Sequence, residues 1–281
     1  MELLFLKICV ASLVSITRYG VLNKQNLVNE ARLLFIDIET SPIIGYTWGL
    51  YEQNVIERIK TFTILSVAYK WFNERTQVLA CDSMTEKELL KKTQMLLSAA
   101  DIVIAHNGDS FDIKKLNARF IINKIPLPSP YRTIDTKKAA KAIGAFDSNS
   151  LNNLGIDLDE GEKIKHRGFD MWLGCMAGIQ KDWNYMKRYN KRDVDLLKKV
   201  YLRLRPSIKN HPSLAAYLSD KSCPKCGSNR IQERGIMVTQ TMHYQRYQCQ
   251  NCGGWSKSPF SQMVDGKLKV AAKKATIMSN V

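Results

Sequence analysis

The chain has 281 residues, with 42 Lys plus Arg against 26 Asp plus Glu and a formal net charge of +16. Its 45% hydrophobic and 24% charged residues are ordinary for a folded protein and exclude a mostly disordered chain. No run of 18 apolar residues occurs, so a spanning helix is excluded, and the basic surplus makes a polyanion the first partner to consider.

The charge is unevenly placed. Residues 1–30 hold 3 basic and 2 acidic side chains (+1), residues 31–206 hold 28 and 21 (+7), and residues 207–281 hold 11 and 3 (+8). These shifts divide the chain into an N-terminal extension (1–30), a main domain (31–206), a linker (207–220), a cysteine module (221–258) and a basic tail (259–281). Leu3 to Ile16 is apolar, but Lys7 interrupts it and Glu2 stands where a signal peptide carries positive charge. The extension therefore reads as an amphipathic segment, and the expected location is the cytoplasm.

The first element in chain order is Leu33 to Glu39, short, apolar and bounded by Thr40-Ser41-Pro42, which predicts a central strand. Thr61 to Trp71 and Thr76 to Cys81 predict a hairpin across Phe72-Asn73-Glu74-Arg75. At Thr85 the period changes. Thr85 and Glu88 form a capping-box pattern before a helix carrying Leu89, Leu90, Leu96 and Leu97. A strand over 102–105, a helix from about Phe111 to Asn123, a strand end at Thr133-Ile134-Asp135 and a long helix over roughly Lys181 to Arg205 follow. A hairpin followed by alternating strands and helices predicts an α/β mixed sheet with flanking helices. No GxxxxGK[ST] loop is present, so nucleoside triphosphate hydrolysis has no support.

Four acids and a phenol stand out against this framework. Asp37 and Glu39 are two apart on the first strand and leave it on one face. Two carboxylates in an apolar strand are costly unless a cation compensates them. Asp112 falls in the first turn of a helix, where a macrodipole contact is the plain alternative and Asp109 a rival for either role. Tyr189 and Asp193 are i and i+4 and share a helical face. Asp135 and Asp195 are read as structural residues, with support of the acids as the alternative, and His106 and His166 as loop or core residues and not ligands.

Together, D-x-E on a strand, Asn107 to Asp112 at a loop-to-helix junction and Tyr189-x3-Asp193 on a late helix resemble the three exonuclease motifs of the DEDD superfamily. Residues 31–206 carry the resemblance, which is nearest to family B polymerase proofreading domains and to stand-alone exonucleases of bacteria and phages. The histidine subtype would place its histidine at position 188. Arg188 stands there, so the tyrosine subtype is implied. The resemblance implies an RNase H-like fold in which Asp37, Glu39, Asp112 and Asp193 hold two Mg2+ or Mn2+ ions and Tyr189 orients the attacking water. Hard divalent ions do prefer such oxygen ligands.

Cys223-Pro224-Lys225-Cys226-Gly227 and Cys249-Gln250-Asn251-Cys252-Gly253 are two CxxC knuckles separated by room for a hairpin. Four thiolates suit one closed, structural Zn2+ site, and the segment resembles a zinc ribbon. Tyr244, Arg246, Tyr247, Trp255 and Lys257 interleave aromatics with cations, as base stacking and phosphate contact require, although they could equally cover a small ribbon core. The expected function is metal-dependent 3′-to-5′ exonuclease action, with DNA ahead of RNA as partner and replication or repair proteins as further partners. The alternatives are an RNA-directed or endonucleolytic enzyme of the same fold and a non-catalytic nucleic-acid or polymerase-binding adaptor.

Overall fold

A computed structural model describes residues 31–263 apart from 52–53, 166 and 219–220. The expected N-terminal extension, His166 and most of the basic tail lie outside the described residues.

β1 (Leu33–Thr40) is the centre of the fold because both of its faces are apolar at the start of the strand. Leu33 and Phe35 point to one side and Leu34, Ile36 and Ile38 to the other, and each set joins a separate buried cluster. A short antiparallel pair follows, β2 (Ile44–Tyr46) with β3 (Glu57–Lys60). This pair was not expected. Its strands are brief and exposed, and they show no alternation that marks a buried face.

β4 (Ile64–Trp71) pairs antiparallel with β1, and β5 (Gln77–Ala80) closes the expected hairpin. α1 (Glu86–Ser98) starts with both halves of the Thr85–Glu88 capping box formed. β6 (Ile102–Ala105) runs parallel to β1, α2 (Asp112–Ile122) follows, and β7 (Arg132–Asp135) runs parallel to β6. α3 (Thr136–Ile143), α4 (Leu151–Asp157), α5 (Asp170–Met176) and the 25-residue α6 (Gln180–Leu204) complete the main unit. The sheet order is β5-β4-β1-β6-β7, a mixed sheet with helices on both faces. This is the expected RNase H-like α/β architecture.

Leu89, Leu90 and Leu97 of α1 and Leu116 and Phe120 of α2 cover the Ile36 face. Leu197, Val200, Tyr201 and Leu204 of α6 cover the Phe35 face. Phe35 is fully buried between Phe72, stacked at 6.2 Å, and Tyr201, edge-on at 5.5 Å. Phe35→Ala should cost about 3–5 kcal/mol in a urea melt, from lost transfer energy plus the cavity left behind. A cost under about 1 kcal/mol would show that Phe35 is not a core anchor.

The stretch 207–220 was expected as a linker, yet its described residues, 207–218, pack in part against the main unit. Ile208 and Leu214 enter the Phe35-side core, and Tyr201 Oη pairs with His211 Nε2 at 2.8 Å. Ile208 and the short run Leu214-Ala215-Ala216-Tyr217-Leu218 repeat with neither a helical nor a strand period, so they gave no periodic signal of this. Three strands then form a separate sheet, β8 (Ile231–Val238), β9 (Met242–Cys249) and β10 (Trp255–Met263), in the order β10-β9-β8. β10 runs beyond the expected end at 258 because residues 261–263 resume pairing with residues 242–244 after a bulge. Among the described residues no helix is long and apolar enough to cross a membrane.

Candidate metal centre and cysteine cluster

The same alternation that buries Phe35 carries Asp37 and Glu39 onto the α6 side of the sheet. There the apolar stripe of α6 gives way to polar groups. Tyr189, Asn190 and Asp193 are all buried and continue the face that holds Val194 and Leu197 one turn later. Carboxylate oxygens of Asp37, Glu39 and Asp193 all lie within 4.8 Å of one another. Asp112 stands at the first residue of α2, where its Oδ1 accepts the Ile38 N–H at 3.1 Å. It therefore lies against the β1 backbone, outside the group of three.

The other acids sort themselves by their partners. Asp109 pairs with Lys138 at 2.8 Å and does not cap α2. Asp135 caps α3 through the Lys137 and Lys138 N–H groups and also accepts the Asn107 N–H. Asp195 is held by Lys70 at 2.8 Å and by Thr76. His106 ties the loop together through Thr136 at 2.9 Å and the Asn149 carbonyl at 3.0 Å, and burial brings its imidazole down to about 4.

Four contributors were not singled out from the sequence. Lys163, from the segment between α4 and α5, places its Nζ 2.6 Å from Asp193 Oδ2 and 3.3 Å from the Tyr189 hydroxyl. Asn190 donates from Nδ2 to Asp37 Oδ2 at 2.6 Å and to the Asp37 carbonyl at 3.2 Å, while Ser66 Oγ donates to Asn190 Oδ1 at 3.0 Å. Ser66 faces Glu39 across the β1–β4 ladder, which explains its place on the acid side. Trp172 of α5 hydrogen-bonds the Glu39 carboxylate. Only Asn190 carried a usable signal, since it lies one residue from Tyr189 and three from Asp193 on the same helix.

The electrostatics are those of crowded acids. Burial, then the charges of Asp112, Glu39 and Asp193, hold Asp37 well above the usual carboxylate range. Glu39 is pushed up to about 8 by burial and next by Asp193. Asp112 is pushed up to about 7, again chiefly by burial. Burial and the Asp193 charge lift the Tyr189 phenol to about 12. Burial alone would lower Lys163, but Asp193 outweighs it and keeps the ammonium charged. One lysine thus faces four carboxylates, and the all-oxygen donor set fits a divalent cation that would offset the rest.

At the C-terminal sheet, the sulfur of Cys249 at the end of β9 and those of Cys223, Cys226 and Cys252 from the turns beside it all lie within 4.8 Å of one another. Cys223 and Cys252 are 3.7 Å apart and Cys226 and Cys249 3.6 Å, too far for disulfides. Tetrahedral zinc with bonds of about 2.3 Å sets its sulfurs about 3.8 Å apart, so the cluster fits that ion. Gly227 and Gly253 adopt φ of +74° and +76°, the turn that bends each knuckle inward. Burial opposes the Cys249 thiolate, yet the Cys252 and Asn251 backbone N–H groups bring it down to about 7.

Residues 34–205 match the RNase_H_2 family, described as RNase_H superfamily. Among solved structures, the family B DNA polymerase from the hyperthermophilic archaeon Pyrobaculum calidifontis is similar over 75% of this chain, with 11% identity and a TM-score of 0.49. The chain spans 31% of that polymerase's length. No curated protein matches the sequence.

Proposed function

Because the chain belongs to the RNase_H superfamily, we propose that it is a metal-dependent 3′-to-5′ exonuclease of the DEDD type, tyrosine subtype, acting on DNA in the cytoplasm. The observation that carries this reading is the convergence of Asp37, Glu39 and Asp193 from a strand and a helix far apart in sequence. Asp37, Glu39, Asp112 and Asp193 would hold two Mg2+ or Mn2+ ions. When bound, such ions supply a nucleophilic water near neutral pH and stabilise charge on the leaving oxygen.

The chain's own groups do the positioning. Asn190 fixes the Asp37 carboxyl group in place with a neutral donor and adds no competing cation beside it. Tyr189, lifted to about 12, stays a protonated phenol and orients water or phosphate through its hydroxyl. Lys163 bonds both Tyr189 and Asp193 and can meet a phosphate oxygen from that position. Four thiolates would hold one structural Zn2+ in a ribbon over 221–258, which aids nucleic-acid binding together with the basic tail. Replication or repair proteins are the partners this reading implies.

End-labelled DNA and RNA oligonucleotides of matched sequence, digested with Mg2+ or Mn2+, test the reading. A ladder that shortens from the 3′ end, seen on DNA and abolished by chelator, is the expected result. Internal cuts, or digestion of RNA alone, would replace it with the endonucleolytic or RNA-directed alternative. No metal-dependent product from either polymer would favour the adaptor.

A further inference from the structure

The C-terminal sheet presents a face that the hydrolytic site does not use. Tyr244, Arg246 and Gln248 leave β9 on one side because strand residues alternate. Trp255 pairs with Gln248 and Lys257 with Arg246, so both β10 side chains join them. The Arg246 guanidinium lies 5.1 Å from the Trp255 ring centroid, and the Lys257 ammonium 4.0 Å from that of Tyr244. Arg246 is also tethered from β8, where its Nε donates to the Arg234 carbonyl at 3.2 Å. Arg246, Trp255 and Lys257 are exposed.

Charge points the same way. The described residues of 221–263 include six cations (Lys221, Lys225, Arg230, Arg234, Arg246, Lys257) and one acid, Glu233, a net +5. Glu233 pairs with Tyr247 and so belongs to the opposite side of the sheet. The aromatic face is therefore purely cationic. A ring beside a fixed cation offers a base something to stack on and its phosphate a counter-charge. A duplex hides its base faces in the stack, whereas an unpaired strand exposes them.

We propose that this face binds single-stranded nucleic acid, with bases stacking on Trp255 and Tyr244 and phosphates meeting Arg246 and Lys257. It rests on nucleic acid being the substrate, as argued above, and adds that the ribbon selects unpaired strands. The surface would hold the strand while the acidic site works on its end.

The test uses the full chain carrying Asp193→Ala, so that bound strands survive, and a labelled oligonucleotide as a single strand and as a duplex over a series of salt concentrations. Trp255→Ala and Tyr244→Ala should each weaken single-strand binding about tenfold to a hundredfold, with little effect on the duplex. Trp255→Phe should recover most of the loss, and zinc content should stay unchanged. Arg246→Ala and Lys257→Ala should each flatten the salt slope by about 0.7. Unchanged single-strand affinity in the Trp255→Ala, Tyr244→Ala double variant, with zinc retained, would overturn the proposal. So would an equal loss on both substrates, which marks a phosphate grip without stacking. Concentration-dependent self-association that disappears in the double variant, with strand binding intact, would instead assign the face to a second copy of the chain. If the unaltered chain hydrolysed nothing, the exonuclease reading would fail while these binding results still stood.

Discussion

Asp37→Asn is expected to lower metal-dependent phosphodiester hydrolysis about a thousandfold or more and, without metal, to raise the melting temperature by a few degrees. The loss follows from removing one of the carboxylates that would hold the divalent ions, and three decades in rate correspond to about 4 kcal/mol. The stabilisation follows from charge crowding. Glu39 and Asp112 titrate at about 8 and about 7 in the fold, against about 4 in the unfolded chain. The folded state therefore binds more protons than the unfolded state between those limits, and its stability falls as pH rises. The contribution is fully present below about pH 4 and is lost as pH passes through about 8. Asparagine removes one like charge and still offers Asn190 an acceptor. Melting from about pH 5 to about pH 9 in chelator should thus give a downward slope for the unaltered chain and a shallower one for the variant. Mg2+ should lift the unaltered chain most at the alkaline end, because it binds the ionised fold. Undiminished hydrolysis, or a variant that melts lower than the unaltered chain at alkaline pH without metal, would refute the assignment of Asp37.

The second large effect concerns the cysteine cluster. Replacing Cys249 and Cys252 with serine should abolish a zinc content of about one per chain and unfold the C-terminal sheet. That sheet has almost nothing else to hold it. Among the described residues of 221–261, only Cys223, Cys249, Gly254 and Ser261 are buried. A unit this small cannot offset its chain entropy with apolar burial alone. Structural zinc is worth about 10–16 kcal/mol in comparable small units at neutral pH, so its removal is decisive. Metal analysis and amide exchange over β8, β9 and β10 would read the outcome. Protection that persists in the zinc-free variant would mean that the sheet folds without a metal. Cleavage of short substrates should survive the substitution, since the acids proposed to hold the divalent ions lie on β1, α2 and α6.

Several features were legible because they are local. The capping box at Thr85 and Glu88, the common face of Asp37 and Glu39, and the i, i+4 relation of Tyr189 and Asp193 each follow from one element's geometry. The two CxxC steps needed only their spacing and their glycines. Lys163 was not legible, because it comes from a polar segment without period. Its significance depends on where α6 presents Asp193. The β2–β3 pair and the packing of Ile208 and Leu214 were hidden for the same reason, since neither leaves a repeating pattern.

By itself the sequence determined the mixed α/β class, the candidate acids and cysteines and the uneven charge, none of which needs long-range packing. Only the tertiary structure decided which acids converge, that Asp112 stands against the β1 backbone, that Asn190 holds Asp37, and that a lysine shares the site. Periodicity is fixed by bond geometry along the chain, whereas the pairing of charges more than a hundred residues apart is fixed by strand order and helix packing.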